Sequence, residues 1–532
     1  MNAAMDYSKG SRQMNDHDQG QIPDSITTRD VVESKVGRLE FADGYAIGDT
    51  ATKLRDELNY VHGVQAFMNT VQGVSLWALR KGFADVGIAD NEFILFSELM
   101  DSESLFLTAN ADTVYFWGNV SLADGPMVLD IPPRVLGVID DFWFRWVGDF
   151  GLPGPDRGQG GRYLLVPHNY DGPLPDGGFF VYRSRTSLVT VAGRAFLVDG
   201  HPAPAAANIR EHLKLYPYAP GGFGSSIGQF LQGKGPLGPH ATAQTPRFVE
   251  GSGLRMNTIA PNDFGHFEML DELVQYESAE ALEPELAGLF AAIGIRKGET
   301  FAPDARLRAI LEQAVAIGNG AARIMGTGAH PDDRWRYYDE PTAWWNPLFE
   351  GGFEFLDPPP HITADGTVEL FPALHTRRLN ARTAMFYSAT LITPAMCMRL
   401  TNIGSQYLAA NLDSNGAPLD GTTTYRMVLP PDIPAAAFWS TTVYDNQTRS
   451  MLRTPQRFPR AGSQDYPTPA ATTDPDGSTT IYFGPQRPDG VPEGNWVQTD
   501  PDKGWFQLLR FYSPLPSFFD KTWRPGELEP VG

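Results

Sequence analysis

The tightest constraint on this chain is a pattern that occurs twice. Between Leu105 and Leu197, short β-branched and aromatic runs (Leu105–Leu122, Pro126–Ile131, Phe142–Val147, Arg162–Pro167 and Phe179–Leu197) are cut by Gly, Pro and Asp. The same punctuation resumes from Thr422 onward. Chains written this way build antiparallel sheets joined by turns. The two regions also share an order of features. In the first, a strand ends at Pro132-Pro133, an aromatic run Phe142–Val147 precedes Asp149, and a strand Tyr163–Val166 stops at Pro167. A Pro175-Asp176-Gly177 turn and an aromatic strand with Arg183 follow. In the second, a strand ends at Pro430-Pro431, then come Phe438-Trp439 with Asp445 and a strand Ile481–Phe483 stopping near Pro485. A Pro488-Asp489-Gly490 turn and Trp505–Phe511 with Arg510 complete it. The pattern predicts a mainly β protein with helices (α+β): two related antiparallel β-sandwich or jelly-roll-like domains linked by a helical segment. It also matches Asp149 with Asp445 and Arg183 with Arg510.

Helical periodicity fills the remainder. Val64, Phe67, Met68, Val71 and Val74 fall on one stripe, predicting an amphipathic helix over 57–81 with Gly82 as its stop. Two further stripes predict helices over 278–293 and 304–325, and a third helix is expected over 376–392. Residues 335–360, with Trp344, Trp345, Pro347 and Phe349, read as an ordered loop packed on a neighbour. Residues 1–40 are rich in Asp, Ser, Gln and Asn and are expected to be a disordered arm. The domain organisation is then arm 1–40, helix plus first β domain 41–240, helical and loop-rich linking region 241–400, and second β domain 401–532.

Charge and cysteine content narrow the partners. Against 42 basic side chains stand 63 acidic ones, a formal charge of -21 that repels nucleic acid and anionic lipid surfaces. No apolar run approaches the ~20 residues that a membrane helix needs. The polar start shows no secretory signal, and Cys397, the single cysteine, excludes an intrachain disulfide. The chain is therefore read as cytoplasmic, with a small-molecule ligand, no nucleic acid, no membrane, and a homo-oligomer as the open alternative.

Two local motifs fail on context. Gly224-Ser225-Ser226-Ile227-Gly228 matches a nucleophile elbow, but a Pro- and Gly-rich run precedes it instead of a buried strand. Gly228–Lys234 nearly spells a phosphate loop, yet Gly235 stands where Ser or Thr would hold magnesium. His266 and Glu268, read on a strand, would share one face as a weak metal pair, and no metal site is assigned.

Asn110-Ala-Asp112-Thr113-Val-Tyr115 and Gly161-Arg-Tyr-Leu-Leu-Val-Pro167 in the first half stand with several motifs in the second: Leu419-Asp420-Gly421, Phe438-Trp439-Ser440, Tyr444-Asp445, Asn495-Trp496 and Arg510-Phe-Tyr512-Ser-Pro514. In this order they resemble the paired families of domains of unknown function 1254 and 1214, over roughly Leu58 to Pro525. That resemblance implies a fold and no reaction; some members are exported, and this sequence departs from them in lacking a signal segment.

Polar groups at strand ends carry the functional expectation. Asp112, His168 and Asp445 are candidate acid and base groups, although Asn110 and Asp112 also suit an Asx turn. Asn110, Tyr115, Arg183, Trp439, Tyr444, Asn495, Trp496 and Arg510 are candidate substrate-binding residues; for the arginines the competing reading is a structural ion pair. The leading expectation is an enzyme acting on a small organic or carbohydrate-like molecule by hydrolysis or elimination, with its groups at the seam between the β domains. No nucleotide or flavin fingerprint is present, so no cofactor is assigned and a hydrolase or lyase is favoured over an oxidoreductase. A non-catalytic binding or assembly protein and a metal-dependent enzyme with ligands from separate strands are the alternatives.

Overall fold

The computed structural model describes residues 22–219, 231–232, 243–326, 335–339, 342–346, 348, 352–357, 361–362, 368–369, 376–397 and 401–531. The chain divides into two compact units, Met1–Val61 and His62–Gly532. In the first, β1 (Val31–Ser34), β2 (Gly37–Ala42) and β3 (Tyr45–Ala46) form a three-stranded antiparallel sheet. This departs from the expected arm at residues 31–40, where Val31 pairs with Glu40 and Val32 with Leu39. Gly37, at φ +93°, supplies the left-handed turn that the hairpin requires. Residues 1–21 lie outside the described residues.

Helix α1 (Thr50–Asp85) is longer than its stripe predicts. Residues 70–79 are buried on every side, because Gly73, Ser75 and Thr70 let neighbours close on the face that periodicity assigns to solvent. Gly82 does not stop it. A Cβ there would lie 2.2 Å from the Asn257 carbonyl oxygen, so the glycine serves a close crossing.

The strands of the second unit are β4 (Phe93–Phe96), β5 (Val114–Ser121), β6 (Met127–Ile131), β7 (Leu136–Asp141), β8 (Trp146–Gly151), β9 (Gly161–Val166), β10 (Phe180–Arg183) and β11 (Leu188–Ala195). Helix α2 (Ala203–His212), β12 (Lys214–Pro217) and β13 (Phe248–Glu250) follow. They form a six-stranded sheet, β13-β4-β5-β11-β7-β8, and a four-stranded sheet, β10-β9-β6-β12. Phe116, Val120, Ile139 and Val191 from one meet Leu129, Ile131, Tyr163 and Leu165 from the other in one apolar cluster.

Next come helices α3 (Gly265–Tyr276), α4 (Pro284–Ala292), α5 (Ala305–Gly326), α6 (Leu379–Ser388) and α7 (Pro394–Cys397). Between α5 and α6 lie two short ladders, β14 (Leu356–Asp357) with β17 (Thr376–Arg377) and β15 (His361–Ile362) with β16 (Val368–Glu369). The last β region contains β18 (Ser405–Ala410), β19 (Thr424–Leu429), β20 (Ala435–Asp445), β21 (Arg460–Gly462), β22 (Thr479–Gly484), β23 (Trp496–Gln498), β24 (Trp505–Pro514), α8 (Pro516–Phe519) and β25 (Glu529–Val531). Its sheets are β18-β24-β20-β21 and β23-β22-β19-β25.

The strand order of the second region repeats that of the first. β5-β11-β7-β8 corresponds to β18-β24-β20-β21, and β10-β9-β6-β12 to β23-β22-β19-β25, each strand keeping its place in chain order. Even the parallel pairs recur, β10 on β9 and β23 on β22. The residue matches expected from sequence slip, however. Arg510 lies on β24, whose counterpart is β11, so its equivalent by strand register is Arg194: Arg194 pairs with Tyr115 of β5, and Arg510 with Tyr407 of β18. Arg183 lies on β10, counterpart of the three-residue β23, which is too short to stand out in sequence. Asp445 likewise corresponds to Asp141 at the end of β7 rather than to Asp149 on β8, since Val189 pairs with Asp141 as Trp505 pairs with Asp445.

Candidate functional site

Alternation along five strands points one set of side chains away from the sandwich cores. Tyr115 and Trp117 on β5, Leu136 and Val138 on β7, and Ala192 and Arg194 on β11 line one side of a cavity of ≈ 170 Å³. Ser405, Tyr407 and Ala409 on β18, with Phe506, Leu508 and Arg510 on β24, line the other. Helix α6 and the segment 389–396 close it, with Leu348 and Met385 adding apolar wall. The segment is itself anchored: Ile392 N–H donates to Asp140 (3.0 Å) and Thr393 Oγ1 to Asp149 (2.7 Å). Burial pushes the Asp149 carboxyl up to about 7, against the hydrogen bonds from Thr393 and Trp146.

The cavity's polar end joins both regions. Arg194 donates to Ser405 Oγ (3.0 Å) and Tyr115 Oη (3.4 Å), and Ser405 Oγ lies 2.6 Å from Tyr407 Oη. Arg510 reaches the opposite way, donating from Nη2 to the Thr108 carbonyl (3.0 Å), with its guanidinium over the Tyr407 and Tyr444 rings. Each β region thus sends an arginine, set beside a cross-strand tyrosine, into contact with the other. Among the described residues no Asp, Glu or His lines this cavity. Burial raises the Tyr115 phenol above its ordinary value.

Asp112 stands apart from the cavity, fully buried. Its Oδ2 accepts from Ser440 Oγ (2.7 Å) and Tyr512 Oη (2.8 Å), and Arg460 Nε lies 2.8 Å from Oδ1. That N–H is not aligned on the oxygen, so the contact is ionic more than a directed hydrogen bond. Asn110 Oδ1 accepts the Asp112 N–H (2.8 Å), the Asx turn, while its amide donates to Tyr512 Oη. The carboxylate therefore pins the first β region onto β20, β21 and β24.

The three expected acid and base groups do not assemble here. Asp445 caps a turn, accepting from Gln447 (2.6 Å) and Thr448 (2.9 Å) amides and pairing with Lys503 (2.9 Å). Its counterpart Asp141 accepts from Trp143 (2.8 Å) and Arg145 (3.0 Å) amides in the same way. His168 is half-buried on the loop after β9 and is absent from the cavity wall. Of the expected binding residues, Asn110, Tyr115 and Arg510 line the cavity. Tyr444 is buried beside it, donating to the Ala109 carbonyl (2.6 Å). Trp439 belongs to the second sandwich core, and Trp496 donates to the Gly484 carbonyl (3.1 Å). Asn495 spends its amide on Thr472 and Thr480. Arg183 is exposed, with a long bond to the Tyr170 carbonyl (3.4 Å), so it makes neither a buried ion pair nor a cavity contact. Sequence reasoning missed Arg194, Ser405 and Tyr407. The signal for Arg194 was present: an arginine near the end of the largely apolar run Leu188–Ala195, as Arg510 stands in Trp505–Pro514.

His266 and Glu268 sit on α3 rather than on a strand, so they do not share a face. His266 is buried, 2.9 Å from Thr70 Oγ1, and burial pushes its pKa down to about 3. Among the described residues no group of three His, Cys, Asp or Glu side chains converges. The Gly224–Gly228 motif lies outside the described residues, as does nearly all of Gly228–Lys234.

Residues 91–217 match the family described as a protein of unknown function, DUF1254, and residues 404–516 the family described as a protein of unknown function, DUF1214. The first match spans β4 to β12 and the second spans β18 to β24. Among solved structures, the VPA0106 protein from Vibrio parahaemolyticus is similar at 17% identity, over 88% of this chain and 100% of that one, with a TM-score of 0.49. An uncharacterized protein from Burkholderia cenocepacia is similar at 11% identity, over 91% of this chain and 96% of that one, with a TM-score of 0.35. No curated protein matches the sequence.

Proposed function

We propose that this chain, which joins a DUF1254 region to a DUF1214 region, binds a small organic molecule in the cavity between its two β regions. The observation that carries the reading is the alternation of Trp117, Val138, Ala192, Ala409 and Leu508 into one concave apolar wall with a polar end. A cavity of ~150 Å³ lined by apolar side chains holds a benzene-sized body, which sets the scale of the ligand's apolar part. Turnover by hydrolysis or elimination at this cavity draws its proton carriers from Tyr407, Ser405 and Tyr115, because those are the hydroxyl groups joined there.

Ala192→Phe places a ring into this space from the middle of β11. Ring-bearing fragments are expected to raise the melting temperature of the wild-type protein and to lose that effect in Ala192→Phe. Equal stabilisation of both proteins, or of neither by any fragment, overturns the reading.

A further inference from the structure

We infer that the cavity's ligand is an organic anion, a carboxylate or a phosphate ester on an apolar body, whose acid group is held between Arg194 and Arg510. The inference rests on the ligand-binding reading above and names its chemistry. Both guanidiniums are more than nine-tenths buried, and both line the cavity. Neither forms an ion pair among the described residues. The one carboxylate in their polar cluster, Asp112, lies against a third buried arginine, Arg460. Three guanidiniums and one carboxylate leave two positive charges without a counter-charge in a dry setting, where buried ions require pairing.

The donors point the same way. Arg194 spends two of its N–H groups on neutral hydroxyls, and Arg510 spends Nη2 on a carbonyl, while its buried Nη1 has no hydrogen-bond partner. A planar guanidinium with an unpartnered nitrogen, on a residue that lines the cavity, is the fork that a carboxylate or phosphate oxygen pair fits. Ser405 and Tyr407 stand between the two arginines as further donors, Ser405 bonded to Arg194 and Tyr407 lying under Arg510. The absence of Asp, Glu and His among the described lining residues leaves this field unopposed at the wall. Trp117, Leu508 and Val138 supply the apolar surroundings for the body.

The test is calorimetric titration of the full chain with benzoate, phenyl phosphate and the neutral isostere benzamide. At least one anion is expected to bind ~10-fold or more tightly than benzamide, a factor corresponding to one charge-assisted contact. The better of the two anions identifies the acid group. Arg510→Gln and Arg194→Gln are each expected to remove that preference while leaving benzamide within ~3-fold. Should one variant fail to fold, the other tests the arginine assignment, and the wild-type ratio of anion to amide still decides whether the ligand is an anion. Equal affinity for anion and amide in the wild type overturns the anion assignment while leaving the cavity reading intact. A preference that survives both substitutions overturns the assignment to these arginines. Binding of none of the probes, together with no fragment effect on Ala192→Phe or wild type, overturns the ligand-binding reading itself.

Discussion

Removing Arg460 should expose how the two β regions are fastened. Its side chain and that of Asp112 are both 0% exposed, with Nε and Oδ1 2.8 Å apart. At an effective dielectric constant of ~20 the gross attraction at this separation is ~6 kcal/mol, offset by desolvation of both ions. Arg460→Met leaves the Asp112 carboxylate with only the Ser440 and Tyr512 hydroxyls. Asp112→Asn leaves the guanidinium with the Thr468 hydroxyl (2.9 Å). Each single substitution strands a buried charge and is expected to cost ~3–5 kcal/mol. The double variant removes both charges together, so its cost should fall at least ~2 kcal/mol short of the sum. Urea unfolding of the four proteins measures this, with the slope of each transition checked for constancy. Additivity within ~0.5 kcal/mol would refute the pairing, as would an Asp112→Asn variant as stable as wild type.

Two further outcomes follow from burial. His266 has a native pKa near 3 against ~6.5 unfolded, so the unfolded state binds more protons and stability falls as pH drops from ~6.5 towards 3. Between pH 6.5 and 5 the wild type should lose ~2 kcal/mol more than His266→Gln; Asp149 and Glu277, raised to about 7, act in the opposite sense but are common to both proteins and cancel. Parallel stability profiles from pH 7 to 5 would defeat this. Gly82→Ala gains ~1 kcal/mol of helix propensity but drives a methyl to 2.2 Å from the Asn257 carbonyl, so a net loss of ~1–3 kcal/mol is expected in thermal or urea melts. A stabilised variant would show that the crossing of α1 over this carbonyl yields without cost.

The sheets and helices were legible because their signals are local. β-Branched and aromatic runs mark β5, β9 and β24, and the Pro132-Pro133 and Pro430-Pro431 ends and the two Pro-Asp-Gly turns fall at equivalent places in the repeated topology. The matching of individual residues failed where a strand was short: β23 has three residues, and missing it moved Arg510 one strand along, onto Arg183. Strand ends attracted attention as sites, yet Asp445 and Asn495 are polar there because turns need acceptors and donors of their own. The cavity is built by residues scattered from Met100 to Arg510, from faces that point away from the sandwich cores. Apart from Arg194 and Arg510, nothing local distinguishes that face from a core face, since both are largely apolar.

The repeated topology has a consequence for how the chain is made. β24 lies between β18 and β20 and bonds to both, yet it is the last of those four strands to leave the ribosome; β11 holds the same position in the first region. Until residues 505–514 emerge, β18 has no sheet neighbour and β20 has only β21, leaving a strand-wide slot of unpaired donors and acceptors. Besides the chain's own β24, the strand shaped for that slot is β24 of another copy. Exchange of this strand between chains is thus a hazard of crowded synthesis, one that grows with concentration and ends once each chain has closed its own sheet.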